Sequence, residues 1–120
     1  MANQPTASSC TIEQQRIGEI EVLSVVGVVD MLTAPRLQEA IAAAAKESRQ
    51  GVIVDLSAVD FLASAGMGVL VAARDELPDS VRFAVVADGP ATSRPLKLVG
   101  IAEVVGLHAT LDEALAALTA

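Results

Sequence analysis

One serine, lying between a β-rich run and a glycine-containing helix start, is the residue of this chain best placed for chemistry. It is Ser64, within Asp60-Phe61-Leu62-Ala63-Ser64-Ala65-Gly66-Met67-Gly68. The segment predicts a loop feeding a helix over Ser64–Leu77, with Ser64 as its N-cap and the hydroxyl accepting from a first-turn amide. A hydroxyl at an exposed helix N-terminus is also a favourable place for a phosphate. Phosphorylation adds about −1.5 to −2 charge beside first-turn N–H groups and the positive end of the macrodipole, so the helix should survive it. The modification would then act on whatever docks there and not on the fold. Gly66 and Gly68 each weaken a helix by up to ~1 kcal/mol relative to Ala, so something other than helix propensity selects them.

Other chemistries find less support. Gly66-Met67-Gly68 lacks the third glycine of a dinucleotide fingerprint and the Gly-Lys-Ser/Thr of a P-loop. Nucleophilic catalysis by Ser64 needs a base, and the one histidine, His108, stands far along the chain. Asp30, Asp55 and Asp60 are expected at strand ends, where ligands of parallel sheets gather, yet three acids without matched partners define no reaction. The lone Cys10 excludes an internal disulfide and is expected to have no intrachain role. With one histidine and one cysteine, no zinc cluster can be assembled, and no cofactor or metal is expected.

Charge narrows the partners. Eight basic against fifteen acidic residues give a net charge of −7, which repels nucleic acid and anionic membranes. Aromatic residues make up only 2% of the chain, which leaves little to stack on bases. Arg94 and Lys97 read as a solvated helix face. Met1–Ser9 carries no secretory pattern, and no apolar run approaches the ~20 residues of a membrane span, so a cytoplasmic location is expected.

The elements that must position Ser64 follow from periodicity. The chain is read as one domain over 1–120, with 1–8 frayed. Strands are predicted over 9–15 and 19–26. A helix follows within 30–50, where Thr33 can cap, Pro35 suits the first turn, and Leu37, Ala40, Ile41 and Ala44 recur at helical spacing. Val52-Ile53-Val54 is apolar on both faces, the pattern of an interior strand. After the Ser64 helix come a strand over 81–87, a helix over 92–99, a short strand over 104–106, and a helix over 111–118 behind the capping box Thr110-x-x-Glu113. The order β-β-α-β-α-β-α-β-α implies an α/β fold: a mixed, mostly parallel sheet of about five strands with about four helices.

Several segments together resemble a known family. They are Gly27-Val28-Val29-Asp30-Met31-Leu32-Thr33-Ala34-Pro35, Val54-Asp55-Leu56, and Phe61 through Leu70, followed by Gly89-Pro90, Gly100-Ile101 and Leu111-Asp112-Glu113-Ala114-Leu115. In order and spacing they are similar to the STAS domain of bacterial anti-sigma factor antagonists, from about Cys10 to Leu118. The resemblance implies that a kinase, itself the anti-sigma factor, phosphorylates Ser64, and that the dephosphorylated protein binds this kinase and frees a sigma factor. It implies a serine phosphatase that resets the switch, and neither metal, cofactor nor enzymatic activity in the chain itself. Asp30 and Ser64 become partner surface, together with Asp60, Ala63, Ala65, Gly66 and Met67. Where the family usually has Asp before the serine this chain has Ala63, and where it often has a second hydroxyl residue after it the chain has Ala65. Ser64 is thus the only hydroxyl in the loop. STAS domains also occur as cytoplasmic regulatory subunits of membrane transporters, which is the alternative expectation, and a serine-dependent enzyme is a third.

Overall fold

Gly18 starts the architecture. Its φ of 64° lies in the left-handed region that glycine enters without strain, and the two-residue turn it opens joins β1 (Cys10–Ile17) to β2 (Ile20–Val29) as an antiparallel hairpin. The computed structural model describes residues 10–120, so the frayed segment expected over 1–8 lies outside the described residues. From β2 onward each new strand is reached by a helical crossover: α1 (Ala34–Glu47), β3 (Gly51–Leu62), α2 (Ser64–Glu76), β4 (Arg82–Val86), α3 (Ser93–Leu98), α4 (Ala102–Val105), β5 (Leu107–His108) and α5 (Leu111–Thr119). The strands lie in the order β1-β2-β3-β4-β5, and only the first pair is antiparallel. This is the mixed, mostly parallel sheet expected of the sequence.

One element differs. The short strand predicted over 104–106 is helix α4 followed by Gly106 at φ 74°, and strand pairing begins only at Leu107, so the described residues hold five helices. The β preference of Val104-Val105 yields because the Val105 amide bonds back to the Ile101 carbonyl at 3.0 Å while its side chain enters the core.

Alternation in the strands builds two cores. Val52 and Val54 of β3 face the layer of α1 and α2, where Leu37, Ile41, Ala44, Leu70 and Ala73 pack. Ile53 faces the other way and joins Ile20, Val22, Ala84 and Val86 beneath Ala114 and Leu118 of α5. A strand buried on both faces must be apolar at every position, which is why Val52-Ile53-Val54 is unbroken. Cys10 does have an intrachain role: it is 5% exposed and packs in the larger core. Burial pushes its thiol pKa up, against a smaller lowering by Arg36, so it is held as the unreactive thiol.

Glu21 is the charged exception in this core. It is 2% exposed, and its carboxylate accepts from Gln14 Nε2 at 2.8 Å and from Arg16 Nε at 2.5 Å. Gln14 and Arg16 also reach the Glu47 carboxylate and carbonyl, tying the end of α1 to the hairpin. Burial alone would raise the Glu21 pKa, but the hydrogen bonds from Gln14 and Arg16 and the charge of Arg16 outweigh it and lower it. A carboxylate with a depressed folded pKa contributes stability that is complete above the unfolded value of about 4.3 and is lost as pH falls through the folded value. Glu21→Gln is therefore expected to destabilise by ~1 to 3 kcal/mol at pH 7. The gap between the two proteins should close as pH drops below the carboxylate range. Thermal unfolding from pH 7 to pH 3 checks this, and a gap independent of pH would contradict the ion pair's role.

Candidate functional site

The upper half of β3 departs from simple alternation, and this shapes the surface around Ser64. Between the pairs Ser24–Asp55 and Val26–Ala58, β3 holds one residue more than β2, and it gains another between Gly27–Val59 and Val28–Phe61. These are two β-bulges. They make the inward residues fall three apart, at Leu56, Val59 and Leu62, and turn Ser57, Ala58, Asp60 and Phe61 all outward. Asp55 Oδ1 closes the first bulge by accepting from the Ser57 amide at 2.9 Å and its hydroxyl at 2.6 Å. Gly27, at φ 106°, sits at the second. β3 consequently runs to Leu62, far beyond the predicted 52–54, and Asp55 and Asp60 lie within the strand and not at its end.

Beside it, β2 ends in a self-bonded loop. Asp30 Oδ1 accepts from the amides of Leu32 at 2.9 Å and Thr33 at 3.1 Å, while Thr33 Oγ1 accepts from the Asp30 amide and donates to the Val28 carbonyl, both at 2.9 Å. Thr33 stands at the N-cap position of α1, as expected, yet its hydroxyl is spent on the loop and makes no cap bond. The loop holds Met31 and Leu32 out in solvent at 77% and 72% exposure.

Ser64 is not the N-cap of α2. That position is taken by Ala63, whose extended backbone (φ −82°, ψ 169°) donates its amide to the Val29 carbonyl at 2.8 Å. Its carbonyl accepts the first helical bonds, from Gly66 and Met67 at 2.9 and 3.1 Å. Ser64 is thereby the first helical residue, exposed, and α2 has no side-chain cap bond for its hydroxyl to supply. The strand-to-helix anchor on Val29 overrides the propensity of a serine to cap.

The remaining predicted residues divide by depth. Asp60 is exposed, Ala63 and Ala65 are half-buried, and Met67 packs partly against the main core. Gly66 is buried beneath the surface and supports it, because a Cβ there would lie 2.6 Å from Val29 Cγ1 and 2.8 Å from Leu62 Cδ1. Gly68 has nothing within 4 Å of such a Cβ. His108 is on β5, with β4 between it and the strand that leads to Ser64. The sequence reading missed Met31, Leu32 and Phe61 as surface residues; Phe61 is 55% exposed. Two consecutive apolar residues between Asp30 and Thr33 were the available signal for the loop pair. Met31, Leu32 and Phe61 are thus exposed apolar side chains on the segment after β2 and on β3, and Ser64 opens α2 at the same end of these parallel strands.

A five-strand mixed sheet with one antiparallel edge, flanked by helices and presenting a serine at the start of α2, is the STAS architecture, and the chain belongs to the STAS-domain family, which matches residues 11–114. It is 41% identical over 96 residues to the anti-sigma-F factor antagonist RsfB of Mycobacterium tuberculosis, covering 80% of this chain and 79% of that protein. An anti-sigma factor antagonist from Mycobacterium paratuberculosis superposes with a TM-score of 0.90 at 40% identity, over 98% of this chain and 100% of the other. The antagonist SpoIIAA in its unphosphorylated form is similar in fold alone, with a TM-score of 0.73 at 16% identity over 91% and 96% of the two chains. Among the described residues no helix is long and apolar enough to cross a membrane.

Proposed function

We propose that this chain is an anti-sigma factor antagonist that acts by switching partners. Dephosphorylated, it binds an anti-sigma factor with serine kinase activity through the edge that carries Asp30, Asp60, Ala63, Ser64, Ala65 and Met67, and the sigma factor is released. Phosphorylation of Ser64 by that kinase ends the complex, and a serine phosphatase resets it. The chain is a cytoplasmic binding module without an activity or cofactor of its own, the nucleotide belonging to the kinase, and it engages neither nucleic acid nor membrane. The observation that carries this reading is the exposed Ser64 hydroxyl, free of cap duty, in a chain 41% identical to a named antagonist.

The physical logic is differential. At the first position of α2 a phosphate meets free first-turn amides and the positive helix end, so the fold accommodates it. In a docked interface the same dianion must be desolvated opposite groups shaped for a neutral hydroxyl, and binding suffers. Phe61, Met31 and Leu32 supply the apolar area that such an interface desolvates around Ser64.

The test pairs the chain with purified kinase-type anti-sigma factors and ATP. The expected result is one phosphate, on Ser64 by mass spectrometry, and affinity at least tenfold lower for the modified chain. Phe61→Ala is expected to cost ~1 to 3 kcal/mol of binding with little change in unfolding temperature, since the ring is largely exposed. Phosphate on another residue, full affinity after modification, or binding to a membrane transporter in place of any kinase would overturn the reading.

A further inference from the structure

The two edges of the sheet are built differently. β5 pairs with β4 over two residues, too short a ladder to receive another strand, whereas β1 runs for eight residues and, among the described residues, is paired on its β2 side alone. No bulge interrupts the register of β1 against β2, and β1 contains no proline, so its outward backbone groups form one continuous row. Hydrogen-bond parity identifies them. The Glu19 carbonyl accepts from the Gln50 amide at 3.2 Å, so odd-numbered residues at the start of β2 turn their backbone groups toward β3 and even-numbered ones toward β1. Ile20 and its opposite Ile17 are therefore a hydrogen-bonded pair, and the same alternation leaves the N–H and C=O groups of Cys10, Ile12, Gln14 and Arg16 facing away from the sheet. The side chains of Gln14 and Arg16 are drawn back onto Glu21 and Glu47 and leave this flank open.

We propose that this edge pairs with the same edge of a second copy of the chain, antiparallel about a two-fold axis at Gln14. The axis keeps each residue on its own face, and opposed residues of an antiparallel pair share a face, so a residue can stand opposite only one of the same parity. Of the registers this permits, centring on Glu13 or Arg16 sets like charges against each other, and centring on Ile12 or Gln15 shortens the ladder. Centring on Gln14 pairs it with its own counterpart, and Ile12 with the second copy's Arg16, through outward backbone groups on both sides. It also sets Glu13 opposite the second copy's Gln15, a carboxylate accepting from a carboxamide, and opposes no like charges. The aliphatic stem of Arg16 then lies over half-buried Ile12. Because the two copies of β1 run in opposite directions, the two Ser64 surfaces point to opposite ends of the dimer. The contact is independent of the proposed switch.

Sedimentation equilibrium of the full chain over a wide concentration range, with amide NMR on the same samples, tests it. The expected result is a monomer–dimer equilibrium, with concentration-dependent shifts and slowed hydrogen exchange at the amides of Ile12, Gln14 and Arg16 and none at Arg94 and Lys97. Gln15→Glu, at an exposed position, should keep the unfolding temperature and weaken the dimer by roughly threefold or more, since each copy then sets a second carboxylate against Glu13 of the other. Gln15→Lys should tighten it by a similar factor. The same two changes at exposed Gln38, on the side of α1 that faces α2, alter net charge equally and should leave the dimer unaltered. A monomer at every concentration, dimer contacts that map away from β1, or equal effects at Gln15 and Gln38 would overturn the proposal. So would outward amides that shift only when a kinase-type anti-sigma factor is added, an outcome that gives the edge to that partner.

Discussion

Ser64→Glu is expected to remain folded and to bind the kinase-type anti-sigma factor proposed as its partner at least tenfold more weakly, a difference of ~1.4 kcal/mol. The carboxylate imitates part of the phosphate charge at the first residue of α2, where the helix end favours it by ~0.3 to 1 kcal/mol, while the docked surface must desolvate it. Ser64→Ala should bind like the unmodified chain and resist being switched off. Because Ala63 holds the N-cap position and Ser64 makes no cap bond, the alanine variant should lie within ~0.5 kcal/mol of the parent in stability. That is less than the ~1 to 2 kcal/mol that loss of a true serine cap would cost. Thermal unfolding and partner affinity measured on the same three proteins separate folding from docking. Unfolding of Ser64→Glu, or undiminished affinity for every kinase-type anti-sigma factor, would reduce Ser64 to an ordinary helix-start residue.

The second large effect is a contrast between two glycines two residues apart. Gly66→Ala would set a Cβ 2.6 Å from Cγ1 of Val29 and 2.8 Å from Cδ1 of Leu62. Val29 is a β-branched residue with no exposed area, on the strand whose carbonyl anchors the Ala63 amide, so it cannot turn aside cheaply. The helix must lift instead. Overpacking of this kind costs ~1 to 3 kcal/mol, and the helix-propensity gain of up to ~1 kcal/mol from replacing glycine offsets only part of it. Gly68→Ala meets nothing within 4 Å and should stabilise by ~0.5 to 1 kcal/mol. Chemical denaturation of both variants should yield opposite signs. Equal signs would mean that α2 does not pack on β2 and β3 as closely as described. Since Gly66 supports the surface that Ser64 occupies, Gly66→Ala should also weaken partner binding, and Gly68→Ala should leave it intact.

Much of this was legible in local pattern. Leu37, Ile41 and Ala44 of α1 are buried as their helical spacing requires, and Val52-Ile53-Val54 is covered on both faces as an unbroken apolar run implies. The Thr110–Glu113 pair caps α5, with Thr110 Oγ1 accepting from the Glu113 amide at 3.1 Å, although the Glu113 carboxylate reaches the Ala109 amide one residue earlier than the usual box. Such features depend on residues within one turn or one strand, so the sequence carries them in full. The strand-helix order, and with it the parallel sheet, follows from the same periodicities joined by handed crossovers.

What the tertiary structure decided depends on distant segments meeting. The bulges that turn Phe61 outward arise from the register of β3 against β2, which no window along β3 alone contains. Alternation lost at a bulge looks in sequence like the end of a strand, so the apolar run Val52-Ile53-Val54 signals only three of the twelve residues of β3. The move of the N-cap from Ser64 to Ala63 comes from the Val29 carbonyl, thirty-odd positions earlier in the chain, and the burial of Gly66 comes from the Val29 side chain itself. α4 stands where a strand is predicted, with the Val105 amide bonded to the Ile101 carbonyl and the Val105 side chain in the core. Residue types and their order determined which groups could act at this surface; the pairing of β2 with β3 determined which of them face solvent, because exposure follows from register and close approach between segments that the chain order holds apart.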